Sequence, residues 1–212
     1  MRVQKISYFD IVVPLVLLIA GAVWVGMAPA EQVLGKGIKI VYVHVACTWV
    51  GLFAFVFWAF FGWTSALKES WSRRMHPWVR ALGWMTVLWF GLGVGTSMIA
   101  AKINWGAVFL QEPRMKTAVF CWMAALFIHT LNLWIPSRRV EAFLAGLPAA
   151  LVIVSLWLTP LVLHPRQPFK GKEATPFFYA FLGTFVIALL LACWLTLRLV
   201  RWAKYKPKPM PV

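Results

Sequence analysis

Ile38-Lys39-Ile40-Val41-Tyr42-Val43-His44-Val45-Ala46-Cys47-Thr48-Trp49 opens an apolar run that continues to residue 66 without another charge. A bilayer core of about 30 Å needs roughly 20 apolar residues in a helix. This run is longer, so it tilts or projects beyond the core. Five further stretches of spanning length follow the same pattern: 9–27, 78–101, 116–135, 141–163 and 176–201. Each is bounded by charges, Pro or Gly. The expected architecture is all-α: a polytopic membrane protein folded as a six-transmembrane-helix bundle. Residues 1–212 form a single membrane domain, with a disordered basic tail at 204–212.

Composition agrees. The chain is 62% hydrophobic and only 13% charged, against about half and a quarter in soluble domains. Lys and Arg number 21 against 6 acidic residues. They lie in short loops and tails between apolar runs, where the positive-inside rule explains them, so nucleic acid is not an expected partner. The stretch 9–27 is too long for an ordinary signal-peptide core and is read as a retained first span. Cys47, Cys121 and Cys193 are scattered and read as buried, inert thiols. No Cys-x-x-Cys-His is present, so the chain is not itself a c-type cytochrome.

Loop charge sets the orientation. With the N-terminus in the cytoplasm, 13 basic residues fall on the cytoplasmic side and 8 opposite, and six spans place both termini inside. His44 then lies near the outer start of the second span, roughly 8 Å below it at 1.5 Å per residue. His164 lies at the outer end of the fifth. The loop Asn104-Trp105-Gly106-Ala107-Val108-Phe109-Leu110-Gln111-Glu112-Pro113-Arg114 joins spans three and four on the same side. Two imidazoles and an aromatic loop thus share one membrane face whichever way the bundle is oriented.

Paired imidazoles beside an aromatic platform suit a flat iron-bearing ligand such as haem. An ionisable group inside a span is costly and by default suggests function. The alternatives are a neutral His44 hydrogen-bonded to a helix carbonyl and an interfacial His164 ending a helix before Pro165. Trp105, Val108 and Phe109 have helical i, i+3, i+4 spacing and would form one apolar face on the membrane, or an ordinary aromatic belt. Arg114, Lys116 and Arg166 are candidate partners for porphyrin propionates. His129 reads as a core histidine with a polar neighbour such as Asn132 or Thr130, and His76, before Pro77, as solvated. Gly91, Gly93 and Gly95 read as small residues permitting close helix packing.

The segment from Ile38 to Val45, with Thr48-Trp49, resembles the start of the second span in the haem-handling cytochrome c assembly proteins. Six spans in about 210 residues is similar to the short haem exporter C (CcmC) members of that family. The resemblance covers nearly the whole chain. It implies an external loop of the form Trp-Gly-x-x-Trp-x-Trp-Asp flanked by two haem-ligating histidines. Trp105 and Gly106 match. Phe109 stands for the second Trp, Gln111 for the third and Glu112 for the Asp, and Pro113-Arg114-Met115 continues the pattern. Gln111 departs from it by losing an aromatic contact. The histidines map onto His44 and His164.

By resemblance, then, b-type haem is bound transiently at the outer face of the inner membrane. His44 and His164 are its axial metal ligands, and Trp105, Gly106, Phe109, Glu112 and Arg114 complete the site. The haem passes to a periplasmic haem chaperone during c-type cytochrome biogenesis, with ABC-type exporter subunits as further partners. The chain carries no catalytic residue in this reading. Two rivals stand beside it: a b-type cytochrome subunit exchanging electrons with quinone, and a structural membrane subunit of an ABC-type exporter.

Overall fold

A computed structural model describes residues 7–159 and 174–205, and their regular secondary structure is helical, with no strand among them. The helices are α1 (Phe9–Met27), α2 (Ile38–Leu67), α3 (Glu69–Trp105), α4 (Pro113–Asn132), α5 (Arg138–Leu144), α6 (Leu147–Leu158) and α7 (Thr175–Tyr205). Five helical segments are long and apolar enough to cross a membrane: α1, α2, α3, α5 with α6, and α7. This fits a multi-pass helical membrane protein. The fourth expected span is not among the five, because α4 carries Arg114, Lys116, His129 and Asn132 among its 20 residues.

The helices alternate in direction. Lys39 Nζ donates to Gly26 O, joining the end of α1 to the start of α2. Asn104 Nδ2 donates to Gly37 O at 3.2 Å, bringing the end of α3 to the same place. Thr117 of α4 meets Thr159, just past α6, at 3.1 Å. Ala180 of α7 packs with Ile38 and Tyr42. These contacts define the His44 end of the bundle. At the other end, Arg198 of α7 pairs with Asp10 of α1, and Arg139 reaches Glu69 at 3.4 Å.

The bundle's centre is the α2–α3 hairpin. Lys68, in extended conformation, is the single residue between the two helices, so they leave the turn in contact. Small residues keep them close. A Cβ on Gly51 would lie 2.6 Å from Phe90 N, and one on Gly93 would lie 3.0 Å from Thr48 Cα. Around this pair Phe55, Trp58, Leu82, Phe90, Cys121 and Val152 form the main core.

Several expectations need correction. The third span starts earlier than expected, at Glu69, and passes through Pro77 without ending. His76 therefore lies on a helix, and it is not simply solvated: its Nε2 is 2.9 Å from Glu141 Oε2. The fifth span is broken between α5 and α6. Pro148 has no N–H to donate to Leu144 O, and the Trp63 indole occupies the space beside Gly146 while donating to Phe143 O at 3.2 Å. Cys47 and Cys121 are buried, but Cys193 is exposed on α7.

Candidate functional site

His44 lies in the second turn of α2, on the side facing α3. Its Nδ1 is 2.9 Å from Gly93 O. A carbonyl oxygen only accepts, so Nδ1 carries the proton. Thr48, one turn along α2, does not compete: its hydroxyl donates to His44 O at 2.8 Å, and its Oγ1 stands 3.4 Å from Nδ1. In the neutral form of the ring this tautomer has its lone pair on Nε2. A helix carbonyl does hold this imidazole, and the same bond selects the tautomer that a metal-ligating histidine uses.

His44 lines a cleft bounded by α2, α3, the start of α4 and the end of α6. Glu112 and Arg114 line it too, with Thr48, Leu52, Phe90, Ser97, Cys121 and Ser155. The loop thus brings two of its polar residues to the histidine, although they are far apart in sequence. Arg114 Nε is buried with no hydrogen-bond partner among the described residues, and Glu112 Oε1 is in the same condition. Buried polar atoms are nearly always satisfied, so one guanidinium nitrogen and one carboxylate oxygen stand out beside this apolar cleft. The cavity volume is about 160 Å³, below the roughly 300–1,000 Å³ of sites that enclose a whole drug-sized ligand.

The other Glu112 oxygen has a structural role. Oε2 accepts from Met115 N at 2.6 Å and caps α4, whose first residue is Pro113. This is the N-cap geometry that satisfies an otherwise unpaired helix donor. It also fixes where Arg114 leaves the helix.

Trp105, Gly106 and Phe109 are placed elsewhere. Trp105 is the last residue of α3 and Gly106 caps it in the left-handed region, with φ 78°, donating to Lys102 O at 3.0 Å. Residues 106–112 are irregular, so Trp105, Val108 and Phe109 do not form one helical face. Trp105 and Phe109 are exposed and do not line the cleft. The proposed ligand His164, the basic residue Arg166 and the tail from 206 onward lie outside the described residues.

Three features were not anticipated. His129 is buried, as a core histidine should be, but its Nε2 has no hydrogen-bond partner among the described residues. Its ring is edge-on to Trp84 and Trp58, at 4.6 and 5.8 Å, and it fills the space that a Cβ on Gly83 would need. Asn132 turns away and donates to Glu141 O. Glu141 is 2% exposed and receives both His76 and Arg80, the latter at 3.0 Å. Finally, three tryptophans staple helices together. Trp24, Trp63 and Trp122 each lie over a glycine of a neighbouring segment (Gly183, Gly146 and Gly91) and donate to a nearby carbonyl (Ala180, Phe143 and Val87). The sequence signal for the staples was present only as an excess of Trp, 14 in 212 residues.

No protein-family model matches the chain, and no curated protein matches it in sequence.

Proposed function

We propose that this protein binds haem at the His44 end of a six-span bundle and passes it to a periplasmic haem chaperone during c-type cytochrome biogenesis. One observation carries the reading: His44, its Nδ1 bonded to Gly93 O, shares a cleft with Arg114, whose buried Nε has no hydrogen-bond partner among the described residues. The donor set fits haem. An imidazole nitrogen suits the iron, Arg114 suits a propionate carboxylate, and Leu52, Phe90 and Val152 offer the apolar wall a porphyrin edge requires. Haem itself supplies the iron and the reactive vinyl groups. The chain's part is to coordinate, orient and release. His164 is the proposed second axial ligand, Trp105 and Phe109 form an exposed aromatic surface outside the cleft, and the His44 end faces the periplasm.

The surroundings of His129 disfavour the electron-transfer alternative. A second haem toward the opposite face would need that imidazole, and Trp58, Trp84 and Gly83 already enclose its ring.

The test is an absorption spectrum of detergent-purified protein, oxidised and reduced, beside His44→Ala and His164→Ala. A haem spectrum lost or converted to a one-ligand form in each variant supports the reading. Wild-type protein from haem-replete cells that carries no haem, and takes up none when it is added, would sink it and favour the structural-subunit reading.

A further inference from the structure

We infer that the cavity between the start of α1 and the end of α7 holds the phosphate headgroup of an anionic phospholipid. It lies at the opposite end of the bundle from His44 and does not depend on haem. The cavity measures about 320 Å³, and its walls include Ser7, Phe9 and Asp10 on one side and Trp194, Arg198 and Arg201 of α7 on the other. The α7 residues are spaced i, i+4 and i+7, so one stripe of the helix supplies an aromatic ring and two cations. Helix α1 has 19 residues, about 28 Å at 1.5 Å per residue, close to the thickness of a bilayer core. Its first turn therefore lies at the edge of the core, where the headgroup region begins, and Arg198 reaches that turn through Asp10.

The cations at this end are not equivalent. Among the described residues its acidic groups are Asp10, Glu69 and Glu141. Glu69 faces Arg73 and Arg139, Glu141 holds His76 and Arg80, and Asp10 holds Arg198. Asp10 is engaged by the backbone as well, since its Oδ2 accepts from Ser7 N at 2.9 Å. Arg198 is fixed further by the Trp194 ring, whose centroid is 5.8 Å from the guanidinium carbon. Arg201 is exposed and pairs with none of these carboxylates. Two arginines against one aspartate leave the cavity with a net charge of +1. The balancing anion is external, and at this depth lipid phosphates are the anions at hand. Phe9 and Trp194 give the cavity an apolar wall, and Ile11 and Leu15 beyond them are exposed, so acyl chains have a surface to follow. A soluble phosphate would gain nothing from that surface. A zwitterionic headgroup would bring an ammonium beside two arginines, and the one carboxylate that could receive it is already engaged.

The test is native mass spectrometry of the full chain in detergent, titrated with phosphatidylglycerol, with phosphatidylcholine of the same acyl chains, and with inorganic phosphate. The first phosphatidylglycerol should bind more tightly than the first phosphatidylcholine. Arg201→Gln should weaken it about tenfold, the loss of one charge-assisted hydrogen bond. Arg74→Gln is the control, because Arg74 is an exposed cation at the same end that does not line the cavity; it should leave the affinity nearly unchanged. Both substitutions are at exposed positions, so neither variant should fail to fold. Equal losses in the two variants would mean diffuse attraction to a basic surface and would overturn the site. Phosphatidylcholine held as tightly as phosphatidylglycerol would overturn it too. Inorganic phosphate that displaces the lipid at comparable concentration would make the ligand a soluble anion and overturn the lipid assignment.

Discussion

Glu112 shows how a single side chain can serve both the fold and a site. One carboxylate oxygen caps α4 through Met115 N, and the other faces the cleft. Replacing a capping residue by alanine costs about 1 kcal/mol. Glu112→Ala should therefore lower stability by about that amount in a denaturant titration and speed amide exchange at 114–116. Glu112→Asn, which can still cap, should restore the exchange rates; if it does not, the cap is not what orders the start of α4. Gly106 makes a different demand, on backbone conformation. Its φ of 78° costs an L-residue roughly 1–2 kcal/mol, so Gly106→Ala should lower stability by about that amount. His44 was visible as an ionisable residue inside an apolar run. Its carbonyl partner was not, because that bond depends on which residue of another helix comes opposite it.

Among the elements, the broken fifth leg is the most instructive. Its apolar pattern is continuous, and hydropathy cannot reveal that a tryptophan from α2 sits at residue 146. Gly146→Ala would place a methyl group inside the Trp63 ring, so the staple must open. The expected result is a red-shifted tryptophan emission and a loss of stability greater than in Trp63→Phe. That variant gives up only one hydrogen bond of about 1 kcal/mol. Equal losses in the two variants would mean that the ring is not held against the break. The boundaries of α1, α2 and α7 were legible to within a few residues, since long apolar runs have few alternatives. The earlier start of α3 was hidden by Pro77, which signals a helix end in most sequences and here does not. The helical spacing of Trp105, Val108 and Phe109 does not become a helix, because Gly106 ends α3 immediately after Trp105.

At the scale of the molecule, the two ends of the bundle are built differently. One holds a cleft with unsatisfied polar atoms; the other holds Glu141, whose carboxylate is satisfied by His76 and Arg80. Removing one member of a buried ion pair can cost 3–5 kcal/mol, and replacing both members by apolar residues costs less. Arg80 keeps a 36% exposed side chain, so about 2–3 kcal/mol is expected for Glu141→Leu. Unfolding measurements on Glu141→Leu, Arg80→Leu and the double variant should show the double less destabilised than the sum of the singles; strict additivity would mean that the pair is not coupled. The alternation of apolar runs made the shared face of His44 and the loop legible before any coordinates. Glu141 escaped notice because it begins a span, where a charge usually marks a boundary, and nothing local shows that α3 covers it. That ion pair also bears on the order of synthesis. A ribosome releases Arg80 well before Glu141, 61 residues later in the chain, so α3 enters the membrane with its cation still waiting at the surface. The α2–α3 hairpin can close at once, but Arg80 cannot meet its carboxylate until α5 has been made. Each nascent chain thus passes through a half-built stage that only its own later sequence can complete.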